Sequence, residues 1–149
     1  MHWKPRYPPA YFALSVAIML VLHSFAPAAD LISRPWNWFG LLPLLLGFAA
    51  VAACARQFAQ HKTPLRPFER STALVTGGLF RYSRNPIYLG GCVALLGIAL
   101  LLGTLTPFLL VLLFPLFLHH FFILREEPLM REIFGAEYES YRSLVRRWI

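Results

Sequence analysis

Apolar residues gather into four runs, at residues 10–29, 38–55, 87–103 and 107–124, and polar residues collect between the second and third runs and after the fourth. Each run approaches the ~20 residues that a helix needs to cross a hydrocarbon core about 30 Å thick. The last two runs are the shortest, at 17 and 18 residues. Helices of that size are roughly 26–27 Å long and cross with little tilt or with local thinning of the bilayer. The pattern predicts an all-α, polytopic membrane protein with four transmembrane helices, followed by interfacial helices on the cytoplasmic side. It forms a single membrane-embedded domain over residues 1–149.

Helix breakers refine this outline. The segment Met1 to Pro9 is too rich in proline to be helical, and its Trp3 and Tyr7 suit the headgroup zone. Residues 34–38, with Trp36 and Trp38, predict a short external turn, and Pro43 falls in the first turn of the second span. Residues 103–107, Gly-Thr-Leu-Thr-Pro, predict a second tight external turn, so spans three and four form a helical hairpin. Gly90 and Gly97 share one face of span three and predict close helix packing, while Pro115 predicts a kink in span four.

Gly77-Gly78 marks a sharp turn within the long loop of residues 57–84. Asn85-Pro86 reads as a cap followed by proline at the first helical position, which leaves a positive dipole end suited to a carboxylate or phosphate. Glu127-Pro128 reads as a helix start and Phe134-Gly135 as its stop. A last helix over residues 136–148 then places Tyr138, Tyr141, Val145 and Trp148 on one stripe, read as a surface anchor lying in the interface plane.

Charge adds a direction. The chain carries a net +7 with only 14% charged residues. With both termini cytoplasmic, 13 of its 14 basic residues fall inside: Lys4, Arg6, six from Arg56 to Arg84, and five from Arg125 to Arg147. Arg34 is left outside, so the distribution follows the positive-inside rule and suits a bacterial inner membrane. The basic excess is a topology signal, and nothing suggests a nucleic-acid partner. Lys4 and Arg6 before an apolar core, with Ala26-Pro27-Ala28 beyond, also resemble a signal peptide. The run is read here as a retained span, because the rest of the chain is itself membrane-class. Cys54 and Cys92, both inside spans, are read as packing residues, and no metal site is expected.

Two stretches carry the candidate chemistry, LVTGGLFRYSRNPIYLGG and EEPLMREIFGAEYESYRSLVRRWI. Together, in order and separated by one helical hairpin, they resemble the isoprenylcysteine carboxyl methyltransferase family and related phospholipid N-methyltransferases. The resemblance covers residues 71–148, taken as the cofactor-binding half, about 71–149. It implies a membrane-embedded S-adenosylmethionine site formed by Thr72, Ala73, Leu74, Val75, Gly78, Leu79, Phe80, Asn85, Pro86, Ile87, Tyr88, Glu126 and Glu127. The family commonly has histidine where this chain has Asn85, which keeps a hydrogen-bonding group but removes a titratable one. Apolar Phe122 aligns where the eukaryotic branch has an arginine linked to substrate binding.

The chemistry of such a cofactor suits these residue types. Its buried charges and hydroxyls need partners. Glu126 or Glu127 can accept from a ribose hydroxyl or the ammonium, and the Gly77-Gly78 loop with the start of span three can receive the carboxylate. Tyr88 and Phe80 can flank the adenine or face the sulfonium. Arg81 and Arg84 divide evenly between membrane anchoring and a ligand role, and Tyr82 reads as an interfacial aromatic. His119 and His120 lie inside span four at a depth where ionisable groups are costly. With Arg84 they are the candidates for catalysis, against a structural alternative in which the histidines bond a neighbouring helix. His119 and Glu126, seven apart, are expected to share a face.

The expectation is therefore an S-adenosylmethionine-dependent methyltransferase, yielding S-adenosylhomocysteine and acting on a lipophilic acceptor that enters from membrane lipids. Two alternatives are a membrane reductase with a nicotinamide cofactor on a related fold, and a non-enzymatic membrane adaptor.

Overall fold

The computed structural model describes residues 8–65, 68 and 71–149. The basic residues Lys4, Arg6, Arg66 and Arg70, and the aromatics Trp3 and Tyr7, lie outside that set. Among the described residues the structure is helical, and the one extended pairing is an isolated bridge between Asp30 and Thr104. Five helices follow one another: α1 (Pro8–Phe25), α2 (Leu41–Gln60), α3 (Pro86–Leu102), α4 (Phe108–Leu118) and α5 (Leu124–Leu144). A 3-10 turn at Trp36–Gly40 leads into α2, another at Gly78–Arg81 precedes α3, and a π-helical segment at His119–Ile123 joins α4 to α5.

Three helical stretches are long and apolar enough to cross a bilayer: Pro8–Phe25, Trp36–Gln60 and the continuous Phe108–Leu144. Helix α3, at 17 residues, is shorter but lies at the centre, packed against α1, α2 and α4. Its seam with α2 is built on glycine. A methyl group placed on Gly47 would lie 2.5 Å from the Gly90 carbonyl oxygen, and one on Gly40 would lie 2.5 Å from that of Gly97. The two backbones therefore touch, as small residues permit in apolar surroundings. Gly90 and Gly97 behave as their spacing predicts, and their partners, Gly47 on α2 and Gly40 in the turn before it, repeat the same seven-residue spacing, which the sequence reading did not use.

Several boundaries differ from the sequence reading. Pro8 and Pro9 belong to α1, because proline suits a first helical turn whose N–H groups lack partners anyway. Pro128 starts no new helix: α5 runs through it from Leu124. The predicted break at Gly135 is present as a single residue at φ 51°, with helix on both sides. The helix ends at Leu144 rather than 148, and Val145 turns extended. At the opposite end of the bundle Gly103 closes α3 in the left-handed region at φ 73°, and its carbonyl accepts from the Leu31 and Ile32 N–H groups.

The aromatic stripe of α5 does not face a membrane interface. Tyr138 and Tyr141 are buried against Cys54, Val75 and Phe80, with Val145 packed alongside, and Trp148 packs against the central cluster of Met19, Leu95 and Phe122. A 3,4-spaced apolar stripe marks a face that must be covered, and here the protein's own core covers it.

Candidate active site

Three chain segments meet at the end of the bundle that holds the start of α3. The first is the turn into α3. Its short helix begins at Gly78, held at φ 57°, where a side chain would run into Gln57. Asn85 does not cap α3 with its side chain as the sequence suggested. Instead the Ser83 hydroxyl accepts from the Asn85 N–H (3.1 Å), and the Asn85 Nδ2 donates to the Arg147 carbonyl (2.9 Å). Pro86 does occupy the first turn, which needs no donor there.

The second segment is the start of α5. Tyr88 donates its hydroxyl hydrogen to Glu126 Oε1 at 2.7 Å, tying α3 to α5. Glu127 instead meets two arginines. Arg147 grips it through both oxygens, Nε to Oε1 at 2.8 Å and Nη2 to Oε2 at 2.7 Å, and Arg84 Nη1 stands 3.2 Å from Oε1. Such forked pairs are stronger and more directional than single contacts. The hydrogen bonds to Glu127 push the Arg147 guanidinium above its ordinary pKa, with burial opposing them more weakly. So the adjacent acidic residues are not equivalent. Glu127 is neutralised by arginine, whereas among the described residues Glu126 has a tyrosine hydroxyl and no ion pair.

The third segment is the tail beyond α5. The Arg146 carbonyl accepts from the Arg84 N–H (2.9 Å), and the Arg147 carbonyl accepts from Ser83 Oγ (3.4 Å) as well as Asn85. The Tyr141 hydroxyl donates to the Phe80 carbonyl at 2.7 Å, closing the same junction from α5.

The turn into α3 and the start of α5 wall one end of a cavity of about 570 Å³, with the tail bonded behind them. Arg84, Asn85, Tyr88, Glu126, Glu127, Tyr138 and Tyr141 supply its polar side. Phe12, Phe48, Val51, Gly91, Ala94 and Phe114, from α1 to α4, supply an apolar limb running into the bundle. The loop residues Leu65, Phe68, Ala73, Leu74 and Val75 close over it. The Phe68 ring stacks on that of buried Phe122, with centroids 6.0 Å apart and planes at 20°.

Of the residues singled out from sequence, Ala73, Leu74, Val75, Phe80, Arg84, Asn85, Pro86, Ile87, Tyr88, Glu126 and Glu127 line this cavity. Thr72 lies outside it, bonded to Thr63 and to the Lys62 carbonyl. Gly78 and Leu79 border a separate small groove with Gln57, Arg81 and Tyr82. His119 and His120 are not part of the cavity wall; their rings pack perpendicular to one another, 5.4 Å apart. The π segment is the reason. An i→i+5 turn holds about one residue more than an α turn, which rotates all that follows by roughly 100°. His119 and Glu126 therefore do not share the face that seven-residue spacing predicts.

Sequence reasoning missed Arg147, the inward Tyr138 and Tyr141, and the cavity residues of α1 and α2. Arg147 lay within the second quoted stretch, and its forked partner Glu127 was the available signal. Phe12, Phe48 and Val51 had none, since cavity-facing and lipid-facing apolar residues look alike in sequence.

The architecture is that of a multi-pass helical membrane protein with a cavity at the end of its bundle. More particularly, the chain belongs to the phospholipid methyltransferase family, whose model matches residues 36–137. It is 43% identical over 75 residues to a protein-S-isoprenylcysteine O-methyltransferase of Schizosaccharomyces pombe, covering 48% of this chain and 30% of that protein. An uncharacterized Haemophilus influenzae protein is 40% identical over 63 residues, 42% of this chain and all of that protein. The structure of a eukaryotic intramembrane Ras methyltransferase, isoprenylcysteine carboxyl methyltransferase, superposes with a TM-score of 0.71 at 24% identity. That match covers 96% of this chain and 53% of the other, so it shows a shared fold. The chain thus spans about a third of the yeast relative and about half of the structural one.

Proposed function

We propose that this protein transfers a methyl group from S-adenosylmethionine to a lipophilic acceptor at the membrane surface. The observation that carries the reading is a cavity with a polar, charged end and an apolar limb inside the helix bundle. Its volume falls in the roughly 300–1,000 Å³ range of small-molecule sites.

The residues present fit the cofactor. Arg84 Nε is buried with no acceptor among the described residues, although the guanidinium borders the cavity. A buried donor without a partner is costly, and a ligand carboxylate would satisfy it. Glu126 lacks an ion pair among the described residues and would accept from an ammonium or a ribose hydroxyl. Phe80, Tyr88, Tyr138 and Tyr141 offer aromatic faces for an adenine or a sulfonium. When bound, the cofactor supplies an electrophilic methyl group on a positively charged sulfur.

The chain's own residues then act by placement. Arg84, Asn85 and the acidic pair fix the polar end, while Phe12, Phe48 and Phe114 hold the acceptor's apolar part and keep water out. Alignment and desolvation of the two reactants supply most of the acceleration in such a site. His119 and His120 are not among the residues that line the cavity, so this reading asks for no histidine base in its wall. In the membrane, α3 serves as a fourth span between α2 and α4, which puts both termini on the cytoplasmic side with the polar end of the cavity. The whole of residues 1–149 works as one unit, with its cofactor half at 71–149.

Glu126→Ala and Tyr88→Ala should each abolish binding of S-adenosylhomocysteine, measured by calorimetry in detergent, without unfolding the protein. Wild-type affinity in both would overturn the proposal. Stabilisation of the wild type by NADPH but not by S-adenosylhomocysteine would favour a reductase instead.

A further inference from the structure

The tail beyond α5 does more than end the chain. Val145 leaves the helix in an extended conformation, and the residues after it bond across the turn into α3. Beside the longer bond from Ser83 Oγ, three contacts stitch them there. The Arg84 N–H donates to the Arg146 carbonyl, Asn85 Nδ2 donates to the Arg147 carbonyl, and the Arg147 guanidinium forks onto Glu127. Trp148 then anchors the tail by packing against the cluster that contains Tyr88 and Phe122. One residue, Arg147, thus uses its backbone to hold Asn85 and its side chain to hold Glu127.

We infer that Arg147 is a positioning residue: it sets the orientation of Glu127 and Asn85 toward the cavity and makes the tail a strap across the polar end. This rests on the proposed cofactor site but concerns a residue that does not line it. Three features carry the inference. Asn85 and Glu127 belong to segments about forty residues apart and meet through Arg147. Without it, Arg84 would be the direct ion-pair partner left to Glu127 among the described residues, at 3.2 Å and through one oxygen, with Arg142 acting from further away. Arg84 would in turn be drawn wholly to Glu127, away from a ligand carboxylate, because one cation would then serve the charge that two now share.

A double-mutant cycle tests this. Arg147→Ala and Glu127→Gln are each expected to weaken S-adenosylhomocysteine binding by about tenfold or more, the loss that follows from a charged hydrogen bond. The double variant should bind no more weakly than the worse single variant, because both changes disable one device. Losses that multiply would overturn the inference, as would wild-type affinity in Arg147→Ala. Arg147→Lys, which keeps the charge but not the fork, should recover only part of the affinity.

Hydrogen exchange of the ligand-free protein gives a readout independent of the cofactor. Arg147→Ala should speed exchange of the Arg84 amide, while the amides of α2 stay protected. Unchanged exchange at Arg84 would sink the strap. A wild-type protein that bound no S-adenosylhomocysteine, yet showed this local change, would instead overturn the proposed function alone.

Discussion

The seam between α2 and α3 and the polar end of the cavity hold the same helix in opposite ways. At the seam, Gly40, Gly47, Gly90 and Gly97 bring two backbones into contact by lacking side chains. At the polar end, Arg84, Asn85 and Tyr88 are held by side chains and carbonyls from segments 38 to 62 residues away. The first arrangement has no adjustable part, and any added atom must push a backbone. The second is a mesh of separate bonds, each of which can be removed while the others persist. A rigid seam thus fixes where α3 lies, and the mesh fixes what its first turn presents.

The largest expected effect comes from breaking the seam. Gly47→Leu should destabilise the protein by about 3 kcal/mol, the upper part of the range for overpacking, because the clash is with backbone. A thermal melt in detergent would show it as a clear drop in midpoint. A smaller effect on stability, but a large one on function, is expected at Gly91, which follows Gly90 on α3 but faces away from the seam. A methyl on Gly91 would meet only the Phe114 and Phe12 rings, at 3.9 and 4.0 Å, across the apolar limb. Gly91→Leu should therefore leave the melt and the S-adenosylhomocysteine affinity near wild type. Incorporation of labelled methyl into membrane lipid should fall by about a hundredfold as the acceptor is misplaced. Equal damage to stability by both changes would erase the distinction between the seam face and the cavity face of α3. The smallest effect belongs to the Arg131–Glu139 pair on the outer face of α5, which is exposed on both sides. Exposed pairs contribute little, so Arg131→Ala should change neither melt nor binding.

How far these regions could be read from sequence also differs. The helical class, the approximate runs and the glycine face of α3 followed from hydropathy and spacing, because helical period and residue size act locally. The pairing of Gly90 with Gly47 did not, since nothing in one helix names its neighbour. At the cavity, Tyr88, Asn85 and the acidic pair were legible through the resemblance, but their partners were not. Asn85 was expected to cap its own helix, and a carbonyl 62 residues later took its amide instead. The aromatic stripe of α5 was correctly seen as one face and assigned to the wrong surroundings. Amphipathic periodicity reports that a face is covered and not what covers it. His119 was misplaced for a geometric reason, because a seven-residue spacing assumes an unbroken α-helix.

That interruption has a consequence for how the cavity tolerates change. Five residues, His119–Ile123, absorb one extra position in the helical winding just before the acidic pair. Removing any single residue from them would let the rod rewind to its ordinary pitch and turn Glu126 and Glu127 away from Tyr88 and Arg84, by roughly 100°. Substitutions there would be borne far more easily than a shortening, so the length of this stretch constrains the protein more than its composition does.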